Sequence, residues 1–111
     1  MGNPSYSGPD RRRSYRLVWD VGVIVRAEFS QGPGFEEETF TISVSAHGAL
    51  ILLEANVRVG QELILVNPTS LREVKGKVVR LGAKHGGLAM VGIEFLAPSP
   101  EFWPWPVTRK P

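Results

Sequence analysis

Cysteine is absent from this sequence of 111 residues. Without thiols the chain cannot form disulfide bonds, a thiolate nucleophile or a metal site built on cysteine. The only histidines are His47 and His85, and no group of histidines and carboxylates has the spacing of a zinc or calcium site. We therefore expect no bound metal and no cofactor.

Long apolar runs are also missing. The longest covers residues 49–53, whereas a membrane-spanning helix needs about 20 apolar residues. Residues 1–10 contain no apolar core of the kind that secretory signals carry. These absences predict a cytoplasmic protein that does not associate with membranes.

Residues suited to catalysis are few. Ser45 and His47 lie two positions apart, which could bring a hydroxyl and an imidazole together in a turn. A nucleophilic Ser–His pair also needs an orienting acid and an oxyanion hole, and no spacing here supplies them. We expect no catalytic residues, and we interpret the chain as a binding protein and not as an enzyme.

The apolar residues repeat with the period of β-strands, and no stretch has the apolar stripe of a helix. Alternation of apolar and polar side chains marks four segments, residues 19–29, 40–44, 74–78 and 91–95. Two further segments, residues 49–53 and 62–66, are short apolar runs. About six short strands joined by turns predict an all-β antiparallel barrel or sandwich.

The same alternation assigns the faces of one strand. Phe40, Ile42 and Val44 would point into the core, because side chains on a strand repeat at every second residue. Ser43 and Ser45 would then point outward, where both hydroxyls are open to a ligand.

Glycines mark further features of the strands and turns. Gly48 ends a turn and is expected to adopt a backbone angle that other residues avoid. Gly76 lies inside a strand pattern and indicates a bulge or a close approach of another chain segment. Residues 82–87 contain three glycines and are expected to form a turn.

Positive charge is concentrated near the start of the chain. The net charge is only +2, but residues 11–16 contain four arginines, and residues 36–38 are three glutamates that offset them elsewhere. Guanidinium groups bind phosphates through paired hydrogen bonds and stack on flat π-faces. The arginine segment suits a ligand with phosphates and purine rings, although a solvated basic leader is the commoner meaning of such a segment taken alone.

The two ends of the chain differ in composition from its centre. Residues 1–10 have nothing to bury and are expected to form a disordered tail. Residues 11–97 then form the folded domain, and residues 98–111 form a tail in which five prolines exclude a further strand. Phe102, Trp103 and Trp105 are expected to pack back onto the domain, because free aromatic side chains would leave an apolar patch in water.

Two motifs in the chain resemble those of the PilZ domain family. The first, RRxxxR, is matched by Arg11, Arg12 and Arg16. The second, (D/N)xSxxG, is matched within residues 43–48 by Ser45 and Gly48. Residues 91–95 are also similar to the family's last core strand. Members of this family are six-stranded β-barrels that bind the bacterial second messenger cyclic di-GMP, so the resemblance implies an antiparallel six-stranded barrel and a nucleotide receptor.

The resemblance also implies a role for each matched residue. Arg11, Arg12 and Arg16 would contact the phosphates and guanine faces of cyclic di-GMP as the flexible arginine segment folds over the ligand. Ser45 and Gly48 would line the barrel surface beneath one guanine. The ordered segment would then signal to a partner protein that the sequence does not identify.

Ser43 departs from the family pattern, in which Asp or Asn offers an acceptor of longer reach. Losing one hydrogen bond to a charged group costs about 1.5–3 kcal/mol, so we expect an affinity about ten- to a hundredfold lower. A degenerate PilZ-like adaptor that binds no nucleotide is the first alternative. Ser43 and the aromatic residues within 102–106 favour it.

The second alternative is a small barrel that binds RNA or single-stranded DNA. Such proteins usually carry aromatic residues among basic ones on an exposed sheet face. Here Trp19, Phe40 and Phe95 occupy core positions of the alternating pattern, so no nucleic-acid polymer is expected as a partner.

Overall fold

The computed structural model describes residues 16–28 and 34–103. The predictions for Arg11, Arg12, residues 1–10 and Trp105 lie outside the described residues. The strands, in chain order, are β1 Leu17–Val18, β2 Gly22–Ala27, β3 Phe35–Ser45, β4 Gly48–Leu53, β5 Glu62–Val66, β6 Glu73–His85 and β7 Leu88–Phe95. A 3-10 helix, Pro100–Phe102, follows β7.

The long strand β3 closes the sheet into a barrel because it pairs with two different strands along its length. Its first part pairs with β2, and its last part pairs with β4. Around the barrel the strands follow the order β3, β2, β5, β6, β7, β4, and each is antiparallel to its neighbours. The prediction of an all-β, six-stranded antiparallel barrel is confirmed, and β1 adds a short seventh strand beside the last part of β3.

The core lies inside the barrel and is built from alternate residues of its strands. Removing one continuous apolar surface from water supplies the main favourable term for folding. The buried strand residues of this core are Val23, Val25, Ala27, Val44, Ile51, Leu53, Leu63, Leu65, Val78, Val91, Ile93 and Phe95. The alternation predicted for β2 and β7 is therefore present in the fold.

A β-bulge in β3 reverses part of the predicted pattern. Thr41 pairs with Ile51 and Ser43 pairs with Leu50, so β3 has one more residue than β4 at this point. The extra residue changes which side chains face the core. Phe40, which we expected in the core, is 60% exposed. Val44, after the bulge, is buried as expected.

Thr41 occupies the inward position before the bulge and is only 2% exposed. A buried hydroxyl is costly unless it forms hydrogen bonds. The Thr41 Oγ1 accepts a bond from the Val21 amide at 2.8 Å and donates one to the Trp19 carbonyl at 2.5 Å. These bonds hold the connection between β1 and β2, where the sequence predicted one uninterrupted strand.

Two glycines allow close contact with β7. A Cβ atom on Gly48 would lie 2.0 Å from the carbonyl oxygen of Ile93, and one on Gly76 would lie 2.5 Å from the Ile93 side chain. The close approach predicted at Gly76 is confirmed. The prediction that Gly48 adopts a backbone angle avoided by other residues is wrong. The described glycines with positive φ are Gly60, Gly86 and Gly87. Contact with a neighbouring strand, and not turn geometry, demands a glycine at position 48.

The turn predicted at residues 82–87 is shorter than expected. β6 continues to His85, and the turn consists of Gly86 and Gly87, with φ of 63° and 85°. Two central residues with positive φ form the hairpin turn that matches the twist of antiparallel strands. The paired glycines therefore let both strands extend to the turn itself.

The chain after β7 returns to the barrel, as predicted for Phe102 and Trp103. Both side chains are buried. The ring of Phe95 lies 5.9 Å from that of Phe102 and 6.0 Å from that of Trp103.

In residues 16–28 and 34–103 no helix is long and apolar enough to cross a bilayer.

Candidate ligand-binding site

A cleft of about 260 Å³ lies on the outside of the barrel, over β3, β4 and β7. Arg16, which precedes β1, borders it beside β3, and Arg80 of β6 borders it beside β7. Five neighbouring strands or strand ends therefore contribute to one cleft, although their residues are spread over most of the described chain.

Arg16 reaches the cleft because β1 pairs with the end of β3. Leu17 stands opposite Val44 and Val18 opposite Ser43. Continuing this antiparallel register by one residue places Arg16 across from Ser45, and both residues line the cleft. The last arginine of the RRxxxR motif thus lies at the second motif.

The bulge in β3 sets the positions of the two serines. Ser43 pairs with Leu50 and Ser45 pairs with Gly48, and all four residues line the cleft. Ser45 is half-buried, and its Oγ accepts a hydrogen bond from the His47 amide at 3.2 Å, which stabilises the turn. The expectation that Ser43 lies open on the exterior is wrong, because Ser43 is only 6% exposed between β1 and β4.

Two glycines of the adjacent strands β4 and β7, Gly48 and Gly92, line the cleft and form what we call its floor. Gly92 is half-buried, so a flat group can approach its backbone, whereas Gly48 is buried and its Cβ position is filled by the Ile93 carbonyl. A Cβ atom on Gly92 would lie 3.2 Å from the Cβ of Arg80, so this glycine also gives the Arg80 side chain its place above β7.

The structure brings together four of the six residues predicted for the site. Arg16, Ser43, Ser45 and Gly48 line the same cleft. Arg11 and Arg12 lie outside the described residues.

Three polar residues of the cleft were not predicted from the sequence. They are His47, Arg80 and Glu94. Arg80 follows a register shift between β6 and β7, and the only trace of that shift in the sequence is the loss of strict alternation after Val78. Glu94 belongs to the outward face of β7, where it pairs with Gly48 on one side and Lys77 on the other. Their membership in the cleft depends on which strands are neighbours.

The charges of the cleft suit an anion that also carries N–H donors. Arg16 and Arg80 present guanidinium groups, which favour phosphate and can stack on flat rings. Glu94 presents carboxylate oxygens, which accept hydrogen bonds. Within the described part of the chain, His, Asp and Glu form no group of three that could hold a metal ion.

Comparisons with known proteins agree with this fold. The family model described as PilZ domain matches residues 10–102. The structure of the Bacillus subtilis inhibitor of motility, MotI/DgrA, is similar with a TM-score of 0.60 and 19% sequence identity over 80% of this chain. The similarity spans 44% of that protein. Among curated proteins, no match to this sequence was found.

Proposed function

The chain belongs to the PilZ domain family, a family of cyclic di-GMP-binding modules, and from this premise we propose that its cleft is a receptor site for cyclic di-GMP. The observation that carries the proposal is the meeting of the two family motifs. Arg16 of the first motif lines the same cleft as Ser45 and Gly48 of the second. Residues that are far apart in the chain thus line one cleft, and this supports the proposal.

In this proposal each part of the ligand has a partner among the residues of the two motifs. Guanidinium groups of Arg11, Arg12 and Arg16 bind the phosphates and stack on the guanine faces. One guanine lies over the small residues of the floor, with Ser45 and Gly48 beneath it. A flat ring can approach this floor closely at Gly92, which is half-buried and carries no side chain.

Arg80 and Glu94 extend the proposed site beyond the two motifs. Arg80 lies on the side of the cleft opposite Arg16. There it supplies a second cationic contact for a phosphate or a guanine face. Guanine presents N–H donors along one edge, and the Glu94 carboxylate is an acceptor for them. This acceptor partly offsets the lost Asp or Asn at Ser43.

The biological role that follows is that of a receptor that signals to a partner protein. In this role, ligand in the cleft contacts Arg11 and Arg12 as well as Arg16, and so orders the arginine segment, residues 11–16, over the barrel. The surface formed by that segment and the ligand is then recognised by the partner. Such a change is a ligand-driven ordering of a segment, one of the common switching devices of signalling proteins.

Calorimetry with cyclic di-GMP tests this function. The wild-type chain should bind, Arg16→Ala and Arg12→Ala should each bind about tenfold or more weakly, and Arg58→Ala should bind as wild type. Arg58 is a matched control because it is exposed and does not line the cleft. Absence of heat at near-millimolar ligand would contradict the receptor function, and an unchanged Arg16→Ala would contradict the arginine assignment.

A non-binding adaptor is the second candidate, and Ser43 is the observation that favours it. Suppose that the wild-type chain binds no nucleotide but Ser43→Asn does. The serine at position 43 would then be what prevents binding in an otherwise intact PilZ site. The protein would in that case act through protein contacts alone.

A further inference from the structure

The C-terminal segment, residues 95–103, forms hydrogen bonds to the turn between β3 and β4. The carbonyl of Ser45 accepts a hydrogen bond from Trp103 Nε1 at 2.7 Å. The next two carbonyls, of Ala46 and His47, accept bonds from the backbone amides of Ser99 and Phe95, each at 2.8 Å. Three consecutive carbonyls of one turn are thus satisfied by residues 95–103.

Trp103 differs from the other two donors because its bond comes from a side chain. The indole is 2% exposed, stacks on Phe95 and meets the ring of Phe102 edge-on at 4.8 Å. The carbonyl of Phe102 in turn accepts a hydrogen bond from Asn67 Nδ2 at 2.9 Å. The ring is therefore fixed by packing and by the anchored residue before it, so that its N–H points at Ser45.

The front of the same turn lines the cleft. Ser45, His47 and Gly48 are all cleft residues. A peptide group is planar, so fixing the carbonyl of Ser45 also fixes the N–H of Ala46 and restricts the rotation of the turn. The hydrogen bond from Trp103 thereby limits the positions of the turn residues that line the cleft.

We propose that Trp103 is a positioning residue for the cleft. Its indole N–H holds the Ser45 carbonyl and so sets the orientation of Ser45, His47 and Gly48, which line the cleft. This inference rests on the proposed function, because its ligand is cyclic di-GMP. Coupling between two sites is reciprocal. Ligand in the cleft therefore also holds Trp103 and the C-terminal segment more firmly against the barrel.

The variant Trp103→Phe tests the hydrogen bond, because it keeps an aromatic ring in the cluster and removes the N–H donor. By calorimetry, at a temperature well below unfolding, it should bind cyclic di-GMP about two- to tenfold more weakly than wild type. Trp19→Phe is the matched control, since it makes the same change at an indole that does not line the cleft. Its affinity should stay close to that of wild type.

A second measurement uses the wild-type chain and does not depend on the folding of a variant. Saturation with cyclic di-GMP should slow hydrogen exchange at the indole N–H of Trp103, whereas that of Trp19 should change little. Unchanged exchange at Trp103 in a chain that binds ligand would overturn the positioning role.

The outcomes separate this inference from the receptor function. No binding by wild type would overturn both. Binding by wild type with equal affinity of Trp103→Phe would overturn the positioning role alone. Equal weakening in Trp103→Phe and Trp19→Phe would also overturn it, because the loss of an indole away from the turn would then have the same effect.

Discussion

Gly48 and Ile93 approach so closely that a Cβ atom on Gly48 would lie 2.0 Å from the Ile93 carbonyl oxygen. The contact joins β4 to β7 at the floor of the cleft. Its atoms belong to the backbone, so they cannot move aside as a flexible side chain could. The glycine of the second family motif is thus required by the barrel itself, in addition to any role beneath a ligand.

Gly48→Ala should therefore destabilise the fold. Overpacking of this kind typically costs about 1–3 kcal/mol, and a backbone contact lies at the upper end. Urea denaturation should show a lower midpoint for Gly48→Ala. Gly22→Ala is a suitable control because its Cβ would meet only the Phe40 ring, at 3.8 Å. A wild-type midpoint for Gly48→Ala would contradict the steric argument.

Thr41→Val should also lower stability, for a different reason. The substitution keeps the size of a buried side chain but removes the hydroxyl that bonds Val21 and Trp19. Leaving those two backbone groups without this partner costs about 1–3 kcal/mol. Urea denaturation should show the loss, and Thr41→Ser, which retains the hydroxyl, should lose less. Equal losses in the two variants would contradict this order and would mean that the methyl contacts contribute as much as the hydrogen bonds.

Ser43→Asn should strengthen binding of cyclic di-GMP. The amide restores an acceptor of the length that the family motif prescribes, without placing a charge at a position that is nearly buried. The dissociation constant should fall by about ten- to a hundredfold, the value of one strong hydrogen bond. Calorimetry on both chains measures this directly. No gain in affinity would show that position 43 does not reach the ligand.

Arg80→Ala should weaken binding even though Arg80 belongs to neither motif. Removing one charge-assisted contact to a phosphate should raise the dissociation constant by about tenfold or more. Arg72→Ala is the matched control, since Arg72 is exposed and is not a cleft residue. Equal affinity of Arg80→Ala and wild type would place the ligand on the Arg16 side of the cleft only.

Binding should also depend on salt, because arginines supply most of the proposed contacts to the phosphates. The Debye length falls from about 10 Å at 0.1 M to about 3 Å at 1 M ionic strength. The affinity for cyclic di-GMP should therefore decrease as salt rises, and less steeply in Arg16→Ala than in wild type. Parallel salt curves for the two chains would indicate that Arg16 makes no charge contact with the ligand.

The local features of the fold could be predicted from residues close together in the chain. Alternating apolar residues in β2 and β7 indicated strands, because a strand with one buried face repeats at every second residue. The PilZ motifs were recognised on Arg16, Ser45 and Gly48, and these three residues do meet in one cleft. Phe102 and Trp103 were expected to return to the barrel because exposed rings would be costly, and both are buried.

Other features were decided by contacts between segments that are distant in the chain. The bulge in β3 follows from its pairing with β4, and it moved Phe40 outward and Thr41 inward against the simple alternation. Arg80 entered the cleft because β6 lies beside β7, and Trp103 reached Ser45 because the C-terminal segment crosses behind the turn. The alternation of residue types and the sequence motifs give information only about residues that are close together in the chain. Registers and cross-barrel hydrogen bonds arise only when the sheet closes, and they determine which side chains finally share a site.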